Sequence, residues 1–221
     1  MSMKPLGILM LDTRFPRIVG DIGNAKSFDF PVIFRRLEGI GPSDAVAAEP
    51  DGPRVMAALA RNAQKLAEAG AVGISTSCGF LALFQKELAA VSPVPVATSA
   101  LLLIAGMKGQ KVGVLTASAR NLTPRHFAAV GAPEDTPVEG MPEEGAFAAT
   151  FLRDGKTLDR DAVERETVGA GRALVNRHPD LDAIVLECTN LPPYKAALQK
   201  ALGLPVRDVL DLLRDFRRRL E

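Results

Sequence analysis

The stretch AIVLECTN, residues 183–190, is a short aliphatic run that leads directly into a cysteine with polar neighbours. The stretch AVGISTSCG, residues 71–79, has the same order of residue types. Apolar runs of this length, bounded by polar residues, are typical of parallel strands that helices cover on both faces. Each stretch therefore predicts a buried strand with a cysteine, Cys188 or Cys78, at its carboxyl end.

The two cysteines occupy matching places in the chain. The interval from Gly7 to Cys78 nearly equals that from Gly113 to Cys188, and each glycine opens a similar run, GIL or GVL. Each cysteine also precedes a Pro-Val pair by the same number of residues. Agreement at three points predicts two structurally similar halves.

Hydrophobic patterning extends this organisation to the whole chain. Strands are predicted at 6–11, 31–37, 71–75, 94–97, 111–116 and 183–186, and helices at 53–69, 81–90, 160–176 and 208–220. Segments 12–30 and 131–145 give no such signal and are either functional loops or irregular connections. We expect an α/β protein of two pseudo-symmetric domains, each a short parallel sheet flanked by helices, with an active-site cleft between them. The first domain is predicted to comprise 1–98 plus 208–221, and the second 99–207.

Composition limits the kinds of ligand. Among 221 residues the formal net charge is +1, which argues against nucleic acid or an anionic membrane surface as a partner and leaves a small molecule. Two cysteines and two histidines are too few for a disulfide framework or a metal centre. The first apolar run stops at Asp12, too short for a secretion signal, and no run is long enough to span a bilayer. These features predict a cytoplasmic protein with reduced thiols and no metal.

Ligands of open α/β sheets bind beyond the carboxyl ends of the strands. If the halves face each other, Cys78 and Cys188 lie on opposite sides of one cleft. That arrangement suits a proton exchange in which one thiolate removes a proton from carbon and the opposite thiol returns one to the other face. Backbone N–H groups of Gly79 and Thr189 are expected to hold a carboxylate and to lower the thiol pKa values.

Further candidate substrate contacts lie near the predicted strand ends. Together with Gly79 and Thr189 they are Asp12, Thr76, Ser77, Phe80, Thr116, Ser118 and Asn190. Alternation along a strand predicts that Glu187 points away from Cys188 and is not its partner base. The competing interpretations are that the cysteines are small buried hydrophobic residues and that Thr116 and Ser118 only cap strand ends. His126 is expected in a solvated first helical turn and His178 in a surface loop.

Three motifs resemble the aspartate/glutamate racemase superfamily, which includes hydantoin racemases, maleate isomerases and arylmalonate decarboxylases. They are LECTNLP at 186–192, TSCGF at 76–80 and GILMLD at 7–12. The resemblance implies two α/β halves around a cleft and racemisation or isomerisation by the cysteine pair without a cofactor. Gly79-Phe80 stands where amino-acid racemases usually carry Asn-Thr, and Asn190 where glutamate racemases carry His, so a glutamate racemase is disfavoured.

Three functions remain open from the sequence. The first is a racemase or epimerase acting next to a carboxylate or carbonyl, with both cysteines as acid/base groups. The second is a maleate-type isomerase or a decarboxylase of a small diacid, although both thiols being present argues against decarboxylation. The third is a small-ligand-binding relative without catalysis, which Gly79-Phe80 and Glu187 favour. Apolar helix faces and the resemblance both make a homodimer plausible.

Overall fold

Two parallel four-stranded sheets form the framework of the protein. The computed structural model describes residues 3–220. The first sheet has the order β2-β1-β3-β4 and the second β6-β5-β7-β8, so the same topology occurs twice. The strands are β1 Leu6–Leu11, β2 Val32–Leu37, β3 Ile74–Thr76, β4 Val96–Ala97, β5 Val112–Thr116, β6 Val138–Gly140, β7 Ala183–Leu186 and β8 Val206–Arg207. This repeated α/β arrangement confirms the predicted fold class.

Helices connect the strands and cover the sheets. They are α1 Pro42–Ala45, α2 Gly52–Glu68, α3 Gln85–Val91, α4 Pro124–Val130, α5 Arg160–Arg177, α6 Lys195–Leu202 and α7 Val209–Arg218. Shorter 3-10 turns span Ala25–Ser27, Gly79–Phe84, Ala100–Gly106 and Pro192–Tyr194, and a π-helical turn spans Ala148–Leu152. α2 begins where the Asp51 carboxylate accepts a hydrogen bond from the Arg54 N–H, and its apolar face is buried as the spacing predicts.

The predicted strands are present, although several are shorter than expected. The region predicted as a helix at 81–90 divides into a 3-10 turn and α3. Segment 131–145 contains β6, a three-residue edge strand whose half-buried sequence VEG gives neither an apolar run nor an alternating pattern. Segment 12–30 is irregular apart from one 3-10 turn.

The predicted domain division stays a prediction. Its ends, residues 1, 2 and 221, lie outside the described residues. The C-terminal helix α7 packs against the first half, where Phe216 lies next to Gly73, the residue before β3. Buried apolar residues of both halves form one continuous core. Within residues 3–220, every helix is too short or too polar to cross a membrane.

Candidate active site

The two cysteines lie in equivalent turns. Cys78 is two residues beyond β3, and Cys188 is two residues beyond β7. In both halves, the backbone N–H of the residue before the cysteine donates to a carbonyl oxygen of the neighbouring strand at 2.9 Å. In both, the cysteine carbonyl accepts from the N–H three residues further on at 3.1 Å. The pseudo-symmetry of the sheets therefore extends to the turns.

The two cysteine turns pack directly against each other. The Thr189 hydroxyl donates to the Ser77 carbonyl oxygen at 2.6 Å, which joins the two halves through residues 112 positions apart in the sequence. On the other side, a Cβ built at Gly79 would overlap with the carbonyl oxygen and with Oε1 of Glu187. Glycine is required at position 79 because the other turn fills the space of a side chain.

A small cavity lies where the turns meet. Cys78 and Cys188 both line it, together with apolar residues of both halves and a few polar ones. The apolar lining comprises Leu11, Phe15, Pro42, Val46, Phe80, Ala117, Phe147, Phe151 and Leu152, and the other lining residues are Arg17, Ser77, Gly79, Glu187, Thr189 and Asn190. One cation and two thiols therefore face a largely apolar space.

A buried ionic network fixes the polar end of the cavity. Arg17 Nη1 lies 2.8 Å from the Asp21 carboxylate, and the Asn190 amide donates to the same carboxylate at 2.7 Å. The Asn190 side-chain oxygen lies 3.7 Å from the Cys188 sulfur. The Arg17 guanidinium also lies 4.4 Å from the centre of the Phe15 ring. Segment 12–30 of the first half is thus tied to the cysteine turn of the second.

Burial dominates the acidity of the Cys78 thiol and raises its pKa to about 12. The charge of Glu187 raises this pKa further, whereas backbone N–H groups of Phe80 and Leu81 and the charge of Arg17 lower it. The sequence instead predicts that the Gly79 N–H stabilises this sulfur. The structure uses the next two N–H groups because the chain turns into a 3-10 helix at once.

Cys188 has a similar environment. Burial raises its pKa well above the ordinary value, Glu187 adds to the increase, and the Asn190 N–H opposes it. Here too the N–H differs from the predicted one, that of Thr189. Both thiols therefore carry their protons at neutral pH, and either thiolate would be a strong base.

Glu187 does not point away from the cleft, which makes that prediction wrong. β7 ends at Leu186, so strand alternation does not extend to position 187. The Glu187 side chain is fully buried and lines the cavity, and its Oε2 accepts a hydrogen bond from the Thr116 hydroxyl at 2.7 Å. Burial raises the pKa of this carboxyl group to about 8, against the opposing effect of Thr116.

The structure brings seven predicted site residues together around the cavity: Ser77, Cys78, Gly79, Phe80, Cys188, Thr189 and Asn190. Thr76 supports them from behind, with its hydroxyl 2.9 Å from the Cys78 carbonyl oxygen and 2.7 Å from that of Thr98. Thr116 acts through Glu187 in the same way. Their contacts with a substrate stay a prediction.

Asp12 and Ser118 lie outside the cavity lining. The Asp12 carboxylate accepts from the Gly39 N–H at 3.0 Å and pairs with Arg36 at 3.4 Å, so its hydrogen bonds hold the β1 and β2 ends together. Ser118 lines a neighbouring surface cleft with Asn121.

His126 is buried, contrary to the expected solvated position. Its ring packs edge-on against Phe80 with centroids 5.2 Å apart, and its Nδ1 lies 3.1 Å from the Thr123 backbone nitrogen at the start of α4. Burial lowers the pKa of His126 to about 4. The helix start is as predicted, but α4 turns this side chain inward. His178 is half-buried at the end of α5.

Several lining residues carried no signal in the sequence. Arg17 and Phe15 lie in the irregular segment 12–30, and Phe147 and Phe151 lie around the π-helical turn. Phe15 and Phe151 meet edge to face with centroids 5.0 Å apart, across the two halves. Only tertiary packing places these residues at the cysteines, so neither spacing nor composition reveals them.

Comparison with known proteins relates this geometry to a family. Residues 43–213 match the family model described as Asp/Glu/hydantoin racemase. A dimethylsulfoniopropionate lyase of Durusdinium sp. clade D is 29% identical over 93% of this chain and 71% of its own length. Dimethylsulfoniopropionate lyase 5 of Emiliania huxleyi (strain CCMP1516) is 31% identical over 96% of this chain, which spans only 44% of that protein.

Solved structures share the fold at low sequence identity. Unliganded arylmalonate decarboxylase superposes with a TM-score of 0.63 and 19% identity, covering 98% of this chain and 92% of that one. Allantoin racemase from Klebsiella pneumoniae gives a TM-score of 0.64 and 15% identity, covering 97% and 87% of the two chains.

Proposed function

Because this chain belongs to the Asp/Glu/hydantoin racemase family, we propose that it moves a proton at the carbon next to the carboxylate of a small acid and inverts that stereocentre. Cys78 and Cys188 are the acid/base pair. The observation that carries this proposal is the presence of two symmetry-equivalent thiols in the lining of one cavity.

The proposed reaction conserves protons within the site. The reaction starts from the form in which one of the two thiols has lost its proton. That thiolate takes the proton from the carbon next to the carboxylate, and the electron pair of the broken C–H bond moves into the carboxylate. The opposite thiol then donates its proton to the other face of the carbon, which leaves the pair with exchanged protonation states. Because burial raises the pKa of both thiols, the thiolate that forms is a strong base toward this weakly acidic C–H bond.

Arg17 is the proposed anchor of the substrate carboxylate. Guanidinium groups bind carboxylates through two parallel hydrogen bonds, and this one is held beside the thiols by Asp21. The remaining wall, with Phe15, Phe147 and Phe151, favours an apolar or soft substituent over a second charged acid group. We therefore propose small monocarboxylic acids or their cyclic amide relatives as the substrate class.

The second candidate is a lyase, which the names of the curated relatives favour. Its first step is the same proton removal, but the electron pair expels a leaving group from the next carbon. From a sulfonium acid, the C–S bond would break, dimethyl sulfide would leave, and an acrylate would remain. A sulfonium cation is also suited to the faces of the three phenylalanine rings. The relatives are longer proteins, so their whole activity does not transfer by similarity alone.

Incubation of candidate acids in D2O tests the first proposal. Single enantiomers of 2-substituted propionates and 5-substituted hydantoins are followed by proton NMR and chiral chromatography, with dimethylsulfoniopropionate as the lyase substrate. We expect loss of the C–H signal together with racemisation, and at least a thousand-fold loss of turnover in Cys78→Ser and Cys188→Ser.

Other outcomes separate the alternatives. Release of dimethyl sulfide without exchange in the other acids would select the lyase, and release of carbon dioxide from a substituted malonate would select a decarboxylase. Full turnover in either serine variant would refute the cysteine pair. Binding of acids without any turnover would indicate a non-catalytic relative.

A further inference from the structure

One carboxyl oxygen in the cavity wall has no hydrogen-bond partner in the described part of the chain. Glu187 is fully buried, and its Oε2 accepts from the Thr116 hydroxyl. Its Oε1 finds no hydrogen-bond partner among residues 3–220, and it lies against Gly79 in the wall between the cysteine turns. Buried polar atoms are nearly always hydrogen-bonded, so an orphan oxygen in a ligand cavity points to a ligand as the missing partner.

The charge state of Glu187 follows from its neighbours. An ionised Glu187 would repel a thiolate at Cys78 or Cys188, since its charge raises the pKa of both thiols. It would also repel a substrate carboxylate in the same cavity. The proposed chemistry therefore requires a neutral carboxyl group. Because Oε2 accepts from Thr116, the proton belongs on Oε1, which lies between the two cysteine turns.

We propose that Glu187 is a further catalytic residue, whose neutral carboxyl group donates a hydrogen bond from Oε1 to the substrate carboxylate. Negative charge develops on that carboxylate when the proton leaves the neighbouring carbon, and a donor held in place in a dry site stabilises it most at that moment. This inference rests on the proposed function, because it assigns Glu187 a role at the same carbon acid. Gly79 makes room for the carboxyl group.

A purely structural role predicts a different pattern of contacts. A glutamate that only holds the fold would have both oxygens bonded. The half-buried Glu166 is an example, since its two oxygens accept from the Ala146 and Phe147 N–H groups at 2.7 and 2.9 Å. Among residues 3–220, Glu187 has a hydrogen-bond partner on Oε2 only. Its other oxygen lies against Gly79, where the two cysteine turns meet.

Binding of propionate and malonate at different pH values tests this assignment without turnover. The probes are titrated calorimetrically into the wild-type protein, Glu187→Gln and the control Glu139→Gln, whose carboxylate pairs with Arg177 outside the cavity. With a pKa of about 8, roughly 3% of Glu187 remains neutral at pH 9.5. Wild-type affinity should therefore fall roughly thirty-fold from pH 7 to pH 9.5.

The glutamine variant should behave differently. Its side-chain amide keeps the acceptor for Thr116 and a donor toward the cavity, so its affinity should change less than three-fold over this range. The other groups that face Glu187 do not titrate between these pH values: both thiols have higher pKa values, and His126, which packs behind Phe80, has a lower one. Arg17 and Asp21 pair with each other. The control should follow the wild type.

A second measurement uses wild-type protein alone, in case the variant does not fold. The infrared difference spectrum at pH 7 should show the C=O stretch of a buried carboxylic acid, shifted by propionate. The same pH dependence in wild type and Glu187→Gln, or a carboxylate band instead of an acid band, would overturn the role of Glu187. Failure of the wild type to bind either acid would instead count against the proposed function.

Discussion

Replacing Asp21 with asparagine should weaken both the fold and the site. The Asp21 carboxylate is almost fully buried and accepts three hydrogen bonds, from Arg17 at 2.8 Å, the Gly23 N–H at 2.7 Å and the Asn190 amide at 2.7 Å. An asparagine keeps one oxygen for the first two donors. Its amide group faces the Asn190 amide, however, so one bond is lost and two donors meet.

The expected cost follows from these contacts. A hydrogen bond to a charged partner contributes about 1.5–3 kcal/mol, and Arg17 also loses its counter-charge. We therefore expect Asp21→Asn to lower the free energy of unfolding by about 2–3 kcal/mol. The two facing amide N–H groups can avoid each other only if the Asn190 side chain rotates. This rotation turns the Asn190 oxygen away from the Cys188 sulfur and alters the reactivity of that thiol.

Urea unfolding followed by circular dichroism measures the first effect, and the alkylation rate of Cys188 measures the second. Asp12→Asn is the matched control, since that carboxylate is partly exposed and makes weaker contacts; it should cost less than about 1 kcal/mol. A cost below about 0.5 kcal/mol for Asp21→Asn, with unchanged Cys188 alkylation, would refute the view that this network positions the second thiol.

Three further perturbations test other parts of the structure. Gly79→Ala should lower the free energy of unfolding in urea by about 1–3 kcal/mol and abolish turnover, because its Cβ overlaps Glu187. The control Gly169→Ala, in open space within α5, should stabilise the protein by about 0.5–1 kcal/mol. Equal effects of the two substitutions would contradict the packing of the turns. His126 has a pKa of about 4 in the folded protein and 6.5 when unfolded. Its neutral form therefore contributes to stability above pH 6.5, and this contribution, on the order of 3 kcal/mol, is lost as the pH falls toward 4. His126→Gln should lack this loss when unfolding is measured at both pH values. Asp154, at φ 53°, accepts hydrogen bonds from the backbone N–H groups of Arg14 and Phe15. Asp154→Ala should therefore lower the free energy of unfolding by about 1–3 kcal/mol and speed thiol alkylation by loosening segment 12–30. Unchanged alkylation would show that this link does not control access to the thiols.

Much of the framework could be predicted from the sequence because it depends on local patterns. The apolar strand at 183–186 has the predicted limits, and α2 follows its cap and its apolar spacing. The repeated placement of the two cysteines predicted the repeated topology, since equivalent strands end at equivalent turns. The short edge strand β6 had no comparable pattern.

The site was less predictable because it is built from contacts between distant segments. Glu187 was expected to face away, yet it lies just beyond the end of β7 at Leu186, and the Thr116 hydroxyl binds its carboxyl group. Arg17 lies in an irregular segment, and its contacts with Asp21, Thr13 and Phe15 direct it to the cavity. His126 shows the same limit, since a helix start does not reveal which side of the helix is buried.

Labelling with N-ethylmaleimide tests most directly whether the two thiols face one cavity. Native protein at pH 8 should take up one maleimide per chain in intact mass spectra, because the first adduct fills the shared space and slows the second reaction at least ten-fold. Unfolding in urea should then expose the second thiol. Two adducts on the native chain, forming at the rates seen separately in Cys78→Ser and Cys188→Ser, would show that the sulfurs lie in independent sites.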